Sequence, residues 1–181
     1  MTATAIVFSS ILFLASIILL WYRQIASPCC AFLGLLILSF AKNSSSYPLL
    51  PINSNIIFGW LCMVVVVTVA TILQPAPVRA SRKGVGYLFI GAIVGLAVGL
   101  LGYSMTSMIN ALYAIMIVGV AAGNFFGYLI YTNTPSGKGV NFASGNFFRY
   151  FLAKGFPVAM TVMQMGVVLV LIISLHFYTL R

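Results

Sequence analysis

Residues 85–103 read Val85-Gly-Tyr-Leu-Phe-Ile-Gly91-Ala-Ile-Val-Gly95-Leu-Ala-Val-Gly99-Leu-Leu-Gly102-Tyr103, apolar throughout and without a charge. A helix of ~20 apolar residues crosses a hydrocarbon core of ~30 Å, so this run predicts a membrane span. Its glycines recur every fourth residue, which puts Gly91, Gly95 and Gly99 on one helix face. The next apolar run, about Ile109 to Tyr131, carries Gly119, Gly123 and Gly127 at the same spacing. Small residues let helix backbones approach closely, and in lipid such packing replaces the hydrophobic drive. A short turn near Ser104 to Ser107 makes the two helices antiparallel. Counting from that turn sets Gly91 beside Ala121 and Gly95 near Ile117. The glycine rows read either as close helix packing or as the lining of a pore or homo-oligomer interface.

Working outward, four more runs have span character: about Ala5 to Trp21, Ile25 to Ala41, Ile56 to Leu73 and Phe156 to Tyr178. Ser27-Pro28 and Pro157 read as helix starts, and Pro75 and Pro77 stop the third run. The runs are continuously apolar rather than alternating, which argues against a β-barrel. The first run lacks the basic flank and small-residue cleavage site of a signal peptide and reads as a span. The expected fold is all-α: a single transmembrane domain over residues 1–181, a bundle of six spans with a short interfacial helix before the last. Composition agrees, with 62% hydrophobic and only 5% charged residues, where soluble domains average about 25% charged.

The chain carries nine Lys/Arg and no Asp or Glu. That removes carboxylate general bases, carboxylate pairs and carboxylate ligands for hard cations, and with them a proton relay through buried acids. Seven of the bases lie on three alternate connections: Arg23; Arg79, Arg82 and Lys83; Lys138, Arg149 and Lys154. Only Lys42 and Arg181 lie on the other side. The positive-inside bias therefore predicts cytoplasmic basic connections and both termini outside, in a bacterial inner membrane. Arg79, Arg82, Lys83, Lys138, Arg149 and Lys154 are candidates for anions or lipid headgroups, with Arg149 and Lys154 snorkelling from the interfacial helix.

Few polar residues fall inside spans. Asn124 and Gln164 lie ~10–12 Å from the basic side at 1.5 Å per residue, and Thr161 and Thr68 fall nearby. They read as interhelical hydrogen bonds or as the polar lining of a ligand cavity. Cys29 and Cys30 are adjacent and diverge around a helix, Cys62 is remote, and His176 is the only histidine. No metal site and no cofactor are expected from this set. Asn43-Ser-Ser45 is a formal glycosylation sequon.

The connection before the last span contains Gly137-Lys-Gly-Val140, then Ala143 and Gly145. The stretch resembles a glycine-rich segment of bacterial glycerol-3-phosphate acyltransferases. That resemblance implies a phospholipid or acyl-transfer enzyme using Lys138 and Ser144; the histidine and acidic residue that would accompany it have no counterpart here. The composition itself points to a non-catalytic membrane protein, a structural or accessory subunit whose bases meet anionic lipid, a partner chain or a second copy, and not nucleic acid. The alternative is a small-solute transporter or substrate-binding membrane component using the Asn124 and Gln164 cluster.

Overall fold

A chain this apolar must bond its backbone within itself, and helices do so locally. The computed structural model describes residues 2–41, 52–101 and 109–179, without the side chains of 2–3, 109–112 and 172–179. Regular structure among these is helical, with no strand. The helices are α1 (Thr2–Tyr22), α2 (Ala26–Phe40), α3 (Ser54–Ile72), the short α4 (Ala76–Ala80), α5 (Val85–Leu101), α6 (Ile109–Thr132), α7 (Phe147–Tyr150) and α8 (Phe156–Thr179). Lys42, the sequon at Asn43, Gly102, the turn from Ser104 to Ser107 and Arg181 lie outside the described residues, as does the His176 side chain.

Among the described residues four helices are long and apolar enough to cross a membrane: Thr4–Tyr22, Ser54–Ile72, Tyr113–Thr132 and Phe147–Leu171. The expected second and fourth spans are the shorter apolar helices Ala26–Phe40 and Val85–Leu101. At 1.5 Å per residue these extend roughly 22 and 26 Å, short of a ~30 Å core.

The expected separate interfacial helix is not there. A π-helical turn over Phe151–Gly155 joins α7 to α8, making one continuous helix from Phe147. Pro157 is the cause. Proline in a helix lacks an N–H and its ring clashes with the carbonyl four residues back. Widening the preceding turn accommodates the ring, and the Phe156 N–H accordingly bonds the Phe151 carbonyl five residues back. Pro157 therefore passes through a helix rather than starting one.

This helix is the centre of the bundle. In its most apolar stretch 67% of residues are buried, against 17% in α1 and in α3. It touches α1, α2, α3, α5 and α6. Towards the basic end Val158 and Val162 pack with Leu20, Leu88, Val120 and Tyr128. Met160 packs with Phe32, Val64 and Val67. Further along, Val167 and Val170 meet Leu35, Leu38 and Met116.

α5 and α6 meet through their glycines. A Cβ added at Gly91 would lie 2.2 Å from the Gly123 carbonyl oxygen, and one at Gly95 2.0 Å from that of Gly119. The contact runs from Gly127 against Tyr87 to Gly99 against Met116. This register differs by two residues, about half a turn, from the count made from the connecting turn. Backbone-to-backbone contact is closest when the glycine rows oppose each other.

Gly95→Ala is therefore expected to lower the melting temperature of the detergent-solubilised chain, the forced separation costing ~1–3 kcal/mol. Gly86→Ala, where an added Cβ meets nothing within 4 Å, is the control and is expected to lose nothing. Equal melting temperatures for both variants would contradict the close α5–α6 contact.

Candidate functional site

The three basic connections converge at one end of the bundle, held together by side chains that donate to backbone carbonyls. Tyr150 donates its hydroxyl to the Lys83 carbonyl at 3.0 Å and stacks on Tyr131, ring centroids 5.6 Å apart. Gly84 makes room for this, since its φ of +81° suits glycine and an added Cβ would lie 2.0 Å from the Tyr150 hydroxyl. Tyr128 donates to the Val140 carbonyl at 2.6 Å and Tyr131 to that of Ser136 at 3.1 Å, which ties down the α6–α7 connection. Phe147 and Phe151 pack against Phe125 and Tyr128. Phe148 is the exposed member of the group.

Lys154 is the outlier among the bases. Expected to snorkel to headgroups, it is fully buried. Its Nζ donates to Gln24 Oε1 at 2.5 Å and to the Arg79 carbonyl at 2.6 Å. The π-helical turn places it there. A bond in that wider register from residue 157 would reach the Leu152 carbonyl, but Pro157 has no N–H to give. Thr71 Oγ1, whose one proton goes to the Val67 carbonyl at 2.7 Å, lies 3.3 Å from the Leu152 carbonyl. Beside this cluster lies a cavity of about 490 Å³ lined by Tyr22, Arg23, Gln24, Thr71, Ala76 and Arg79 among others. Arg79 Nε is buried with no hydrogen-bond partner. The Arg82 guanidinium lies 4.5 Å from the centroid of the Tyr22 ring, within cation–π range. Gln24 was not singled out by sequence; its only signal was an amide in an otherwise apolar turn next to Arg23.

Lys83, Lys138 and Arg149 are exposed at this end. Lys138 begins a 3₁₀ turn, Lys138–Val140, and the Ser144 hydroxyl donates to the Asn141 carbonyl at 2.7 Å. The glycine-rich connection is therefore organised by its own short-range bonds.

The polar residues inside the spans do not form one cluster. Asn124 Nδ2 donates to the Gly155 carbonyl at 2.9 Å, next to the π-helical turn, and its Oδ1 has no partner. Thr161 shares a 2.9 Å hydrogen bond with Ser27, which also donates to the Ser16 carbonyl at 2.8 Å. Thr68 meets Cys29 through a long 3.8 Å contact. Neither polar atom of the Gln164 amide has a partner. Asn124, Thr161 and Gln164 are each 0% exposed, so no water-sized space touches them.

On the outside, α5 and α6 form a groove of about 550 Å³ floored by Gly91, Gly95, Gly119 and Gly123 and walled by Val94 and Phe126. No group of three or more potential metal ligands occurs among the described residues. No family model, curated protein or solved structure matches the chain.

These environments separate the two amides. Gln164→Leu removes an unpaired buried amide, whose burial costs ~1–3 kcal/mol, and is expected to leave stability unchanged or raise it. Asn124→Leu removes the bond to Gly155 and is expected to cost about 0.6–2 kcal/mol. Thermal unfolding in detergent reads both, and a loss for Gln164→Leu as large as that for Asn124→Leu would show that Gln164 is paired.

Proposed function

We propose that this chain is a non-catalytic integral membrane protein, an accessory subunit that docks against a transmembrane helix of another chain. The sealed interior is the observation that carries this reading. A solute site built on Asn124, Thr161 and Gln164 needs space around their polar atoms, and all three are fully enclosed. Acid–base catalysis has no carboxylate to use, and the glycine-rich connection bonds to itself. What the chain offers instead is external: the glycine-floored groove between α5 and α6, where a neighbouring helix can approach closely.

In this reading all six apolar helices span. The shorter α2 and α5 cross with local thinning of the bilayer. The convergence of the three basic connections supports placing that end in the cytoplasm, with both termini outside, in a bacterial inner membrane. A second copy of the chain is the symmetric version of the same docking.

Purification from membranes in mild detergent, followed by native mass spectrometry, is expected to recover the chain with a second polypeptide or as a dimer. Val94→Trp fills the groove and is expected to release that partner. Phe58→Trp, on an exposed position of α3, is expected to retain it. A lone monodisperse monomer would overturn the subunit reading, and retention of the partner by Val94→Trp would overturn the groove as its seat.

A further inference from the structure

The described hydrogen bonds leave Lys154 electrically unfinished. An ammonium has three donors, and two of them end on neutral oxygens, Gln24 Oε1 and the Arg79 carbonyl. Such acceptors orient the charge but do not cancel it. A charge taken out of water needs an opposite charge nearby to offset its desolvation, and the chain has no Asp or Glu. No Asp or Glu of this chain supplies that charge, so an anion that does so comes from outside it.

The surroundings narrow what that anion is. The cavity beside Lys154 shares Gln24 and Arg79 with it as walls. Arg23 lines the same space, Arg82 sits over its Tyr22 wall, and the Arg79 Nε is buried and unbonded. Two cations, Arg23 and Arg79, thus line one open pocket, Lys154 and Arg82 stand close behind its walls, and the chain has no acid to place among them. At about 490 Å³ the space exceeds what a halide needs. Guanidinium groups present planar pairs of N–H donors that match the oxygens of a phosphate. The cavity lies at the basic end of the helices, and part of its wall is apolar, Ile25, Ala26 and Ala80. The π-helical turn has a role in this arrangement as well. It turns Lys154 onto Gln24 and Arg79, which are themselves wall residues.

We infer that the cavity between the α1–α2 turn, the end of α3 and α4 is a binding site for a phosphate group. Arg79 and Arg23 line it and are its ligands, Arg82 stands over its Tyr22 wall, and Lys154, sealed behind Gln24 and Arg79, adds positive charge without touching the ligand. The phosphate is that of a lipid headgroup or of a free phosphate ion, which share the recognised chemistry. This site is independent of the groove between α5 and α6 and of the partner proposed for it.

The test uses the full chain in a neutral detergent and reads the melting temperature. It is titrated with inorganic phosphate, with phosphatidylglycerol in mixed micelles, and with phosphatidylcholine and sodium chloride at matched ionic strength as controls. Phosphatidylglycerol is expected to raise the melting temperature saturably, and phosphatidylcholine and chloride to leave it unchanged. A response to inorganic phosphate as well identifies a free-phosphate site; a response to the lipid alone identifies a headgroup site. Arg23→Gln, at a lining residue, is expected to fold and to weaken the response. Arg79→Gln, at a partly exposed position, is expected to weaken the apparent affinity by about tenfold or more, as loss of a charged hydrogen bond does. Asn133→Ala, at an exposed position of the same end, is expected to respond like the parent. No saturable response to either phosphate probe would overturn the site. So would a full response in both arginine variants, or an equal loss in Asn133→Ala.

Discussion

Pro157 deprives the central helix of one N–H, and much of the basic end is arranged around that deficit. The turn before it widens into π-helical register, with the Phe156 N–H bonded to the Phe151 carbonyl. The Leu152 carbonyl then lacks its helical donor, and the Thr71 hydroxyl of α3, which bonds Val67 within its own helix, lies 3.3 Å from it. Asn124 of α6 bonds the Gly155 carbonyl on the same turn. Two neighbouring helices thereby meet the central one at a single depth. The same widening turns Lys154 inward onto Gln24 and Arg79, which connects the α1–α2 turn and α4 to it. A defect in one helix thus supplies attachment points for its neighbours.

The rest of the bundle is held by close contact. In lipid the hydrophobic effect does not press helices together, so shape must do so. Glycine permits this between α5 and α6, where carbonyl oxygens occupy the space a Cβ would take. Hydroxyls help between α1 and α2, where Ser9 donates to the Gly34 carbonyl at 2.9 Å and Ser27 to that of Ser16 at 2.8 Å. Both shorter helices, α2 and α5, belong to these hairpins, each packed along a longer neighbour. Their length deficit falls where an adjacent helix already covers them.

What could be read from sequence follows from what is local. Apolar runs identify helices because hydropathy accumulates along the chain, and glycine spacing marks a face because helical periodicity is regular. Register is different: the α5–α6 pairing is decided by contact along both helices, and counting from the turn missed it by two residues, about half a turn. Pro157 misled for a physical reason. The same residue begins helices and interrupts them, and only the packing around Lys154 and Thr71 decides between the two. Asn124 and Gln164 share a depth in the sequence count, yet depth carries no information about which helix face each occupies. Gln24 was missed because its significance lies in an acceptor presented to a residue 130 positions away.

The absence of acids shapes the hydrogen bonding as well as the charge. With no carboxylate to receive them, the donors of the basic end turn to backbone oxygens: Lys154 to Arg79, Tyr150 to Lys83, Tyr128 to Val140 and Tyr131 to Ser136. A carbonyl dipole satisfies a donor's direction but leaves its formal charge in place. The end of the bundle is therefore well bonded locally and strongly positive as a whole, with three connections brought together despite their mutual repulsion. The charge keeps that end distinct from the rest of an otherwise apolar molecule. The proposed orientation and the proposed anion site both rest on one feature, the gathering of unneutralised bases at a single end.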